Sequence, residues 1–292
     1  MAASRKLNKK LIVLLALLLS GVALAAWAFL IEPSLITVSH HTIKIPRWQR
    51  EHQNLKIAIL TDLHVGAPHM NVGKLKQVVE RTNAEAPDAI VILGDLVIQD
   101  VVGGKFVEPE LIANELKNLR APLGVVAVLG NHDWWLDGER VARSLRETGL
   151  TVLENDVARV ERDGKVFWFA GLGDLWTRAA DIKGTLGKIQ TDDPVIVLTH
   201  NPDVFPDVPA RVSLTLAGHT HGGQVNLPFV GRPIVPSKFG QRYASGHITE
   251  NGRHLFVTNG IGTSIIPVRF RVPPEIVVLT LQTEDEKNGA PR

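Results

Sequence analysis

The sequence predicts an α/β domain in which two β-sheets pack face to face beneath helices, preceded by one N-terminal transmembrane helix. Residues 11–31 form an uninterrupted apolar run without a charge. Strand-like and helix-like segments then alternate as far as about residue 150, and the last third of the chain consists mostly of short strand-like runs. The 292 residues, 45% of them hydrophobic, suffice for one large domain or two small ones.

Residues 11–31 are long enough to cross a hydrocarbon core of about 30 Å as a helix. A cleaved signal peptide is the alternative, because Ala23-Leu24-Ala25 fits a small-x-small cleavage site. The apolar run continues past that site to Ile31, which favours a retained anchor in contact with the lipid bilayer. Residues 1–10 contain four basic side chains and no acidic one, namely Arg5, Lys6, Lys9 and Lys10. The positive-inside rule therefore predicts a single-pass protein of the cell membrane, with a cytoplasmic N-terminus and a catalytic domain on the non-cytoplasmic side.

The formal net charge of +2 is unevenly distributed. Of the 32 basic and 30 acidic residues, residues 1–31 hold four basic ones and no acid, so the rest of the chain has a net charge of −2. A domain that binds long nucleic acids usually carries a basic surface, so no such partner is expected. The chain has no cysteine, which excludes disulfides, thiolate metal sites and a cysteine nucleophile.

The folded domain is predicted to span residues 55–282. Residues 32–54 are polar and irregular and are interpreted as a tether with at most one edge strand, and residues 283–292 as a polar tail. Apolar runs predict strands at 55–61, 89–93, 125–129, 166–170, 195–199 and 212–217. In the last third, residues 241–249 and 253–258 are predicted to form a hairpin around Glu250-Asn251-Gly252, followed by a strand at 275–281.

Three helices are predicted between the early strands. Asn71 is a good N-cap for a helix with Leu75, Val78 and Val79 on one face. Glu108-Pro109 begins the second helix, since proline is tolerated in the first turn. Residues 137–149 are predicted as the third helix, with a glycine at its C-terminal end.

Five short polar motifs follow apolar runs. They are Asp62-Leu63-His64, Gly94-Asp95, Gly130-Asn131-His132-Asp133, Thr199-His200-Asn201 and Gly218-His219-Thr220-His221. Asp, Asn and His fit a buried strand poorly but are good metal ligands. Because an α/β fold gathers residues beyond its strand ends into one crevice, the motifs predict a metal centre, and two metals are favoured.

The spacing within the motifs suggests how they contribute. Asp62 and His64 are two residues apart, so both side chains can point the same way from an extended strand end. Gly94 lets the backbone approach an ion closely, and the two oxygens of Asp95 can bridge two cations. Asn131 offers a neutral oxygen, which leaves His132 for chemistry.

The five motifs resemble those of the calcineurin-like metallophosphoesterases, which read D-x-H, G-D, G-N-H-[D/E], a lone His and G-H-x-H. All five are present in order within residues 62–221. The extension to Gly222-Gly223-Gln224, Asn201-Pro202-Asp203 and Tyr243-Ala244-Ser245-Gly246 is similar to the bacterial membrane-anchored phosphodiesterase branch. The resemblance implies a four-layer αββα sandwich and covers nearly the whole chain.

The resemblance also implies a role for each motif residue. The first metal would be held by Asp62, His64 and His221, the second by Asn131, His200 and His219, and Asp95 would bridge them. His132 would contact the phosphate and protonate the leaving oxygen. Two divalent ions would support in-line attack by a hydroxide that bridges them. Oxygen and nitrogen ligands without sulfur suit Mn, Fe, Zn or Co.

One departure from the family pattern argues against one class of substrate, phosphorylated proteins. Ser/Thr protein phosphatases read G-D-x-x-D-R-G in the second block, but Ile98 stands at the position of its second aspartate here. The third block ends in Asp133 rather than glutamate. Both features argue against a protein phosphatase and leave the orienting partner of His132 open between Asp133 and Asp100.

Two apolar segments near the motifs have open roles. Trp134-Trp135 either packs against the next helix or forms a wall for a substrate base or acyl group. Residues 225–239 either cover the core or form a lid or membrane-facing groove. In the second case Arg232, Lys238 and Arg242 would meet substrate phosphates.

The functional prediction is a membrane-anchored dinuclear metal hydrolase of a phosphodiester or pyrophosphate bond. The anchor favours a lipid-linked substrate, such as UDP-2,3-diacylglucosamine, which some relatives hydrolyse, or a phospholipid headgroup. That glycolipid reaction is cytoplasmic, whereas the anchor predicts the opposite side. The alternatives are a phosphodiesterase for small or cyclic nucleotides and an inactive metal-binding scaffold, which is disfavoured because no ligand is missing. The oligomeric state is not predicted.

Overall fold

Two six-stranded sheets form the centre of the domain in the computed structural model, which describes residues 9–284. The strands are β1 Thr37–Ile45, β2 Leu55–Leu60, β3 Ala89–Leu93, β4 Val125–Val128, β5 Thr151–Val152, β6 Asp156–Arg162, β7 Lys165–Gly171, β8 Val195–Leu198, β9 Leu214–Ala217, β10 Gly246–Glu250, β11 Arg253–Val257 and β12 Glu275–Thr283. One sheet has the order β1-β12-β2-β3-β4-β5, and the other has the order β10-β11-β9-β8-β7-β6. Most of the predicted N-terminus 1–10 and of the predicted tail 283–292 lies outside the described residues.

Helices cover the outer face of each sheet. They are α2 Val72–Ala84, α3 Pro109–Leu116, α4 Asn131–Glu147 and α5 Ile182–Gly187, and a further helix, α1 Lys9–Ala26, precedes the sheets. The apolar faces of α2, α3 and α4 pack on the first sheet, and α5 packs on the second. The predicted four-layer αββα sandwich is therefore confirmed.

The central strand β3 shows why the layers form. All five of its residues are buried, as expected for a parallel strand covered on both faces. Ile90 and Ile92 point to the helices, whereas Val91 and Leu93 point to the second sheet. The period of two along a strand thus divides one apolar run between two cores.

The first two predicted helix starts, after Asn71 and after Glu108, are confirmed, whereas the third helix starts earlier than predicted. The side chain of Asn71 accepts a hydrogen bond from the backbone N–H of Lys74 (2.9 Å) and caps α2. The third helix begins at Asn131, six residues before the predicted start at 137. Asp137 is non-helical (φ −175°, ψ 86°) and caps the second part of α4 through the N–H of Arg140 (3.0 Å). The predicted start therefore corresponds to a kink within α4.

The segment 32–54, predicted as a tether with at most one edge strand, contains that edge strand and is packed into the domain. Strand β1 pairs in parallel with β12 along nine residues and forms the edge of the first sheet. Ile43, Ile45 and Trp48 are buried in the core between the sheets. In the predicted hairpin, only Gly246–Glu250 and Arg253–Val257 are strands, because Gly240–Tyr243 forms a 3₁₀ turn that buries Tyr243.

The N-terminal helix α1 extends away from the sandwich. Among residues 9–284, one helix, which runs from Lys9 to Ser34 with its following turns, is long and apolar enough to cross a membrane. The side chains of α1 itself are not buried in the protein. This arrangement fits membrane association through one N-terminal segment.

Candidate metal centre

The five polar motifs meet at one edge of the sandwich. They follow the carboxyl ends of β2, β3 and β4 in the first sheet and of β8 and β9 in the second. All eight predicted metal-ligating and catalytic residues are buried there: Asp62, His64, Asp95, Asn131, His132, His200, His219 and His221. Polar side chains of this kind are buried at a cost unless they have partners, so their convergence indicates a functional site.

The side chains form three overlapping groups. The first group is Asp62, His64 and His221, and another is Asp95, His200 and His219. Asp95 also lies with His64 and His132. In each group, one ligand atom per residue lies within 4.8 Å of the others, which is compact enough to hold a metal ion. Asp95 belongs to two of these groups and His64 joins them to the first, an arrangement that fits two adjacent metal sites.

Pairs of imidazoles face each other through ring nitrogens. His64 Nε2 lies 3.1 Å from His221 Nε2, and His200 Nε2 lies 3.1 Å from His219 Nδ1. Each distance is that of a hydrogen bond in which one ring nitrogen carries a proton, and a cation bound by both nitrogens would take the place of that proton. This geometry therefore fits a metal ion at each pair.

Two oxygen atoms in the centre accept no hydrogen bond within residues 9–284, although His221 Nε2 lies 3.3 Å from one of them, Asp62 Oδ1. Asp62 Oδ1 and Asn131 Oδ1 are buried, and neither accepts a hydrogen bond from any described residue. A buried oxygen without a donor costs about 1–3 kcal/mol, so native proteins rarely leave one without a compensating ligand. The donor set thus matches the oxygen and nitrogen preference of first-row divalent metals.

The charge of Asp95 determines the electrostatics of the centre. Its Oδ2 lies 3.1 Å from His200 Nε2 and 3.7 Å from His64 Nε2. Burial opposes ionisation, but the adjacent histidines, His200 above all, hold the pKa of Asp95 well below its usual range. Burial likewise opposes a charged His200, yet Asp95 raises the pKa of His200 to about 10. The site thus requires positive charge beside Asp95, which a metal ion would supply in place of this proton.

The other histidines of the centre are neutral. Burial lowers the pKa of His64 to about 3, and burial together with His200 lowers the pKa of His219 to about 3. The pKa of His221 also falls well below its ordinary value because of burial. Since a metal ion binds neutral imidazole, these residues would need no proton loss to act as ligands.

Most of the predicted ligands have a strained backbone. Asp62, His64, Asp95, His219 and His221 have φ between 42° and 69°, in the left-handed region. The prediction that Asp62 and His64 leave an extended strand end is therefore wrong, and the same applies to His219 and His221. Such residues cost about 1–3 kcal/mol each and persist where the surrounding structure holds them for function.

Gly94 lets two backbone segments pack closely against each other. It has φ +91°, and a Cβ at this position would collide with the backbone of Gly130. A Cβ on Gly130 would in turn collide with the carboxylate of Asp95. The two glycines therefore let the β3 and β4 loops touch, which brings Asp95 beside Asn131 and His132.

Asp133 fixes the loop that carries Asp95. Its Oδ2 accepts the backbone N–H groups of Asp95 (2.8 Å) and Gly130 (3.0 Å), and its Oδ1 those of Leu96 (2.9 Å) and Val97 (3.2 Å). Burial raises the pKa of Asp133 to about 7, while the four N–H groups favour its ionised form. With both oxygens occupied, Asp133 does not bind His132, so the suggestion that it orients His132 is wrong.

We expect Asp133→Asn to lower stability, because its amide group would face two of these N–H donors. The expected loss is about 1–3 kcal/mol per pair of opposed donors. It would appear as a lower thermal unfolding midpoint of the full chain in detergent. Asp163→Asn is the matched control, since Asp163 is largely exposed and asparagine tolerates its φ of 53°. Equal midpoints for both variants would contradict this role of Asp133.

His132 lies at the rim of the centre. Its Nε2 is 4.0 Å from Asp95 Oδ2, and its ring packs against His64 (4.6 Å between centroids) and Trp135 (4.8 Å). Burial lowers the pKa of His132, and the nearby charge of Asp95 opposes this effect. Its Nδ1 has no hydrogen-bond partner among residues 9–284, so ring packing holds the side chain. Asp100 also borders the pocket at His132, but no hydrogen bond joins them in the described chain.

A pocket of about 320 Å³ opens onto the metal centre. Its inner wall includes Asp95, Asn131 and His132, and its outer wall is largely apolar. Trp135 and Trp176 stand at its mouth, half exposed and 6.4 Å apart between ring centroids. A larger groove of about 660 Å³ lies elsewhere and contains no motif residue.

The two adjacent tryptophans have different roles. Trp134 packs into the protein, with the Arg178 guanidinium 4.4 Å from its ring centroid. Trp135 instead forms part of the pocket wall. The open alternatives for Trp134-Trp135 thus divide between the two residues.

The structure does not bring Arg232, Lys238 and Arg242 into the pocket lining. Arg232 donates a hydrogen bond to the Ser245 hydroxyl (2.7 Å), and Arg242 forms an ion pair with Glu250 (2.6 Å). The Nζ of Lys238 lies 5.1 Å from the centroid of a neighbouring phenyl ring. These contacts direct the three cations to the surrounding surface rather than to the phosphate site.

Sequence reasoning missed Trp176 and Arg269. Trp176 follows β7 at the same sheet edge as the motifs, and its ring lies 4.3 Å from that of His219. The rule that strand ends carry site residues could have found it. Arg269 is fully buried and donates to the carbonyls of Gly260 (3.2 Å) and Gly262 (2.6 Å), in the loop that packs on Asp62. No local sequence pattern predicts that Arg269 is buried or that it binds these carbonyls.

A four-layer sandwich with clustered Asp and His residues at its strand ends defines the metallophosphoesterases, a class of metal-dependent phosphoester hydrolases. Residues 55–223 match the family model of the calcineurin-like phosphoesterases. The chain belongs to this family, and the predicted superfamily and enzyme class are confirmed. The family assignment and the Asp/His groups together indicate divalent metal cofactors.

Bacterial relatives extend the similarity to most of the chain. The chain is 34% identical over 262 residues to the uncharacterized metallophosphoesterase YkuE of Bacillus subtilis, covering 88% of this chain and 89% of that protein. It is 30% identical to an uncharacterized metallophosphoesterase of Aquifex aeolicus, covering 90% and 97% of the two chains. It is 31% identical to the phosphodiesterase YaeI of Escherichia coli, covering 77% and 82%.

Proposed function

We propose that this protein is a membrane-anchored phosphodiesterase that hydrolyses a phosphodiester or pyrophosphate bond with two divalent metal ions. The observation that carries the proposal is the contact between two ligand groups, Asp62/His64/His221 and Asp95/His200/His219, which His64 and Asp95 join to each other. The name of the Escherichia coli relative, a phosphodiesterase, supports this choice among phosphoester hydrolases.

In this proposal each metal has three ligands besides Asp95. Asp62, His64 and His221 hold one ion, and Asn131, His200 and His219 hold the other. The oxygens of Asp62 and Asn131 that accept no hydrogen bond in the described chain support their inclusion. When bound, such a pair stabilises charge on the phosphate oxygens and provides a hydroxide nucleophile at neutral pH.

His132 is proposed to act as the general acid. It lines the pocket next to Asp95, and it is the motif histidine that the two ligand sets proposed above leave unused. In its protonated form, Nε2 carries a proton to the leaving oxygen, and the adjacent carboxylate of Asp95 stabilises the imidazolium.

The substrate class is proposed from the anchor and from the pocket wall. Ile234, Pro236 and Ile265 line the mouth together with the two tryptophans, so the part of the substrate next to the phosphate is apolar or aromatic. A phospholipid headgroup diester or a lipid-linked pyrophosphate fits this wall and a catalytic domain on the non-cytoplasmic side. A small nucleotide is the second candidate, since a base stacks on tryptophan.

The first experiment combines metal analysis with a substrate panel. The full chain in detergent is loaded with Mn²⁺ and tested on bis-p-nitrophenyl phosphate, phospholipids, lipid-linked pyrophosphates and cyclic nucleotides. Turnover with two ions per chain is expected. Two bound ions without turnover of any diester would instead favour the scaffold alternative, and preference for cyclic nucleotides would reject the lipid substrate.

We expect Trp135→Ala and Trp176→Ala to raise KM for diesters with an apolar or aromatic group, with a smaller effect on kcat. An aromatic contact that is equally present in the ground and transition states affects binding alone. Each substitution should cost about 0.5–1.5 kcal/mol of aromatic contact energy in substrate binding, in addition to the apolar surface that is no longer buried. Steady-state kinetics on a series of dialkyl phosphates of increasing chain length, with dimethyl phosphate as the reference, measures this change in KM. Trp168→Phe, a half-buried tryptophan away from the pocket, is the control. Uniform losses across the series would exclude a wall function.

A further inference from the structure

Exposed large apolar side chains are concentrated around the mouth of the pocket. We consider the exposed large apolar side chains of the described residues after Leu35. All of these except Leu111 lie in segments that follow the carboxyl ends of β3, β4, β7, β9 and β11. Phe229 is fully exposed, and Ile234 is 76% exposed. We define the apolar rim as six of these residues on three loops: Val102, Phe229, Val230, Ile234, Ile265 and Ile266. Exposed apolar patches of this kind mark contact surfaces.

The end of the N-terminal helix is fixed to one of these loops. The backbone N–H of Arg269 donates to the carbonyl of Ala28 (2.9 Å). The N–H of Val272 donates to Glu32 Oε1 (2.6 Å), and the other oxygen of Glu32 accepts from the indole of Trp27 (2.6 Å). His69, from the segment after β2, contributes a further hydrogen bond to the carbonyl of Phe29 (2.8 Å). The helix therefore leaves the domain at a defined place rather than through a flexible tether.

The other rim loops are joined to the same loop. The N–H of Asn226 donates to the carbonyl of Phe270 (2.9 Å), next to the residue that binds the helix end. The N–H of Val102 donates to the carbonyl of Ile265 (2.9 Å). One rim loop is thus hydrogen-bonded directly to the end of the helix, and the other two are hydrogen-bonded to that loop.

Two of the three rim loops carry charges of one sign, whereas the loop with Val102 also contains Asp100. Residues 223–242 and 260–272 contain five Lys or Arg residues and no Asp or Glu. Lys238 and Arg271 are exposed. Cations next to exposed apolar side chains are the composition that favours the interface of an anionic bilayer.

We propose that the apolar rim inserts into the interface of the same bilayer that the helix crosses, so that the pocket opens among the lipid headgroups. This inference rests on the proposed membrane anchor. A helix that crosses a bilayer ends at its surface, and loops hydrogen-bonded to its last turn must lie at that surface too. Because the rim lies next to the end of the membrane anchor, we infer that the bilayer covers it, rather than a second copy of the chain.

The contact would determine how substrate reaches the metal centre. Ile234 and Ile265 belong both to the rim and to the pocket lining. A lipid phosphoester could therefore enter the pocket from the interface without passing through water. A soluble diester would enter without needing this contact.

The absence of cysteine allows a direct test with single labels. Phe229→Cys and Asp163→Cys are labelled with bimane in the full chain, reconstituted in vesicles of phosphatidylglycerol and phosphatidylcholine. Asp163 lies at the turn before β7, at the opposite edge of the second sheet. We expect lipid-borne spin labels near the headgroup to quench the label at 229 and aqueous iodide to quench the label at 163. Equal quenching of both by iodide would overturn the proposal. Shielding of the label at 229 in detergent that rises with protein concentration would also overturn it, in favour of self-association.

A second measurement uses activity. The triple variant Phe229→Ser, Val230→Ser and Ile266→Ser changes rim residues outside the pocket lining and should lose roughly tenfold in phospholipid hydrolysis on vesicles, which corresponds to about 1.4 kcal/mol. Hydrolysis of soluble bis-p-nitrophenyl phosphate should be unchanged, and Leu111→Ser should change neither. Equal losses on both substrates would count against the rim. If the unmodified protein cleaves no diester, the proposed function fails, while the quenching result still decides the membrane contact.

Discussion

Asp95→Asn is expected to abolish nearly all phosphoesterase activity and to lower the metal content below two ions per chain. Asp95 lies between the two proposed ligand groups, since its Oδ2 is 3.1 Å from His200 Nε2 in one and 3.7 Å from His64 Nε2 in the other. An amide offers one oxygen and no charge, so it cannot bridge two cations as a carboxylate does. Loss of an outer partner of a metal ligand costs about 10–100-fold in metal affinity, and loss of a shared ligand should cost more.

Metal analysis and kinetics on the same sample test this prediction. Asp192→Asn is the matched control, because the Asp192 side chain is fully exposed and 4.0 Å from its nearest cation, on Arg47. Adding excess Mn²⁺ should restore little activity if the bridge is lost. Two tightly bound ions with full turnover in Asp95→Asn would show that Asp95 is not the bridging ligand.

The position of the metal centre could be predicted because strand ends are visible in the sequence. The apolar runs before Asp62, Asp95 and Asn131 correspond to β2, β3 and β4, with boundaries correct to about one residue. Buried parallel strands are continuous apolar runs, and a polar residue that ends such a run lies at the carboxyl edge of the sheet. Local pattern therefore locates the edge where the site forms.

The direction of individual side chains could not be predicted in the same way. Asp62, His64, His219 and His221 have left-handed backbones, so the period of two that holds for extended strands does not apply to them. His219 and His221 accordingly belong to different ligand groups. Their conformations depend on packing between loops distant in sequence, such as the contact that Gly218 makes with Thr61.

Long-range pairing set a second limit. The parallel pairing of β1 with β12 joins residues more than 230 positions apart, and no local pattern identifies the partner of an edge strand. Arg269 illustrates the same limit, since it stabilises the loop beside Asp62 through backbone carbonyls. Contacts of this kind depend on tertiary structure alone.

The general acid role of His132 predicts an effect that depends on the leaving group. In His132→Ala, we expect kcat for alkyl phosphodiesters to fall by about 10²–10⁴-fold, the range for loss of a positioned proton donor. An alkoxide is strongly basic and needs that proton, whereas nitrophenolate leaves readily without it. The loss for bis-p-nitrophenyl phosphate should therefore be much smaller.

This difference separates acid catalysis from the other roles open to His132. If His132 bound a metal ion, His132→Ala would reduce metal content and slow both substrates together. If it only bound the phosphate, KM would rise for both substrates alike. His40→Ala is the control, because the His40 side chain is 61% exposed and pairs with Glu85 far from the centre. Retention of two ions together with a leaving-group-dependent loss of kcat would assign the proton to His132, since a ligand or a binding residue alone has no reason to distinguish an alkoxide from a nitrophenolate.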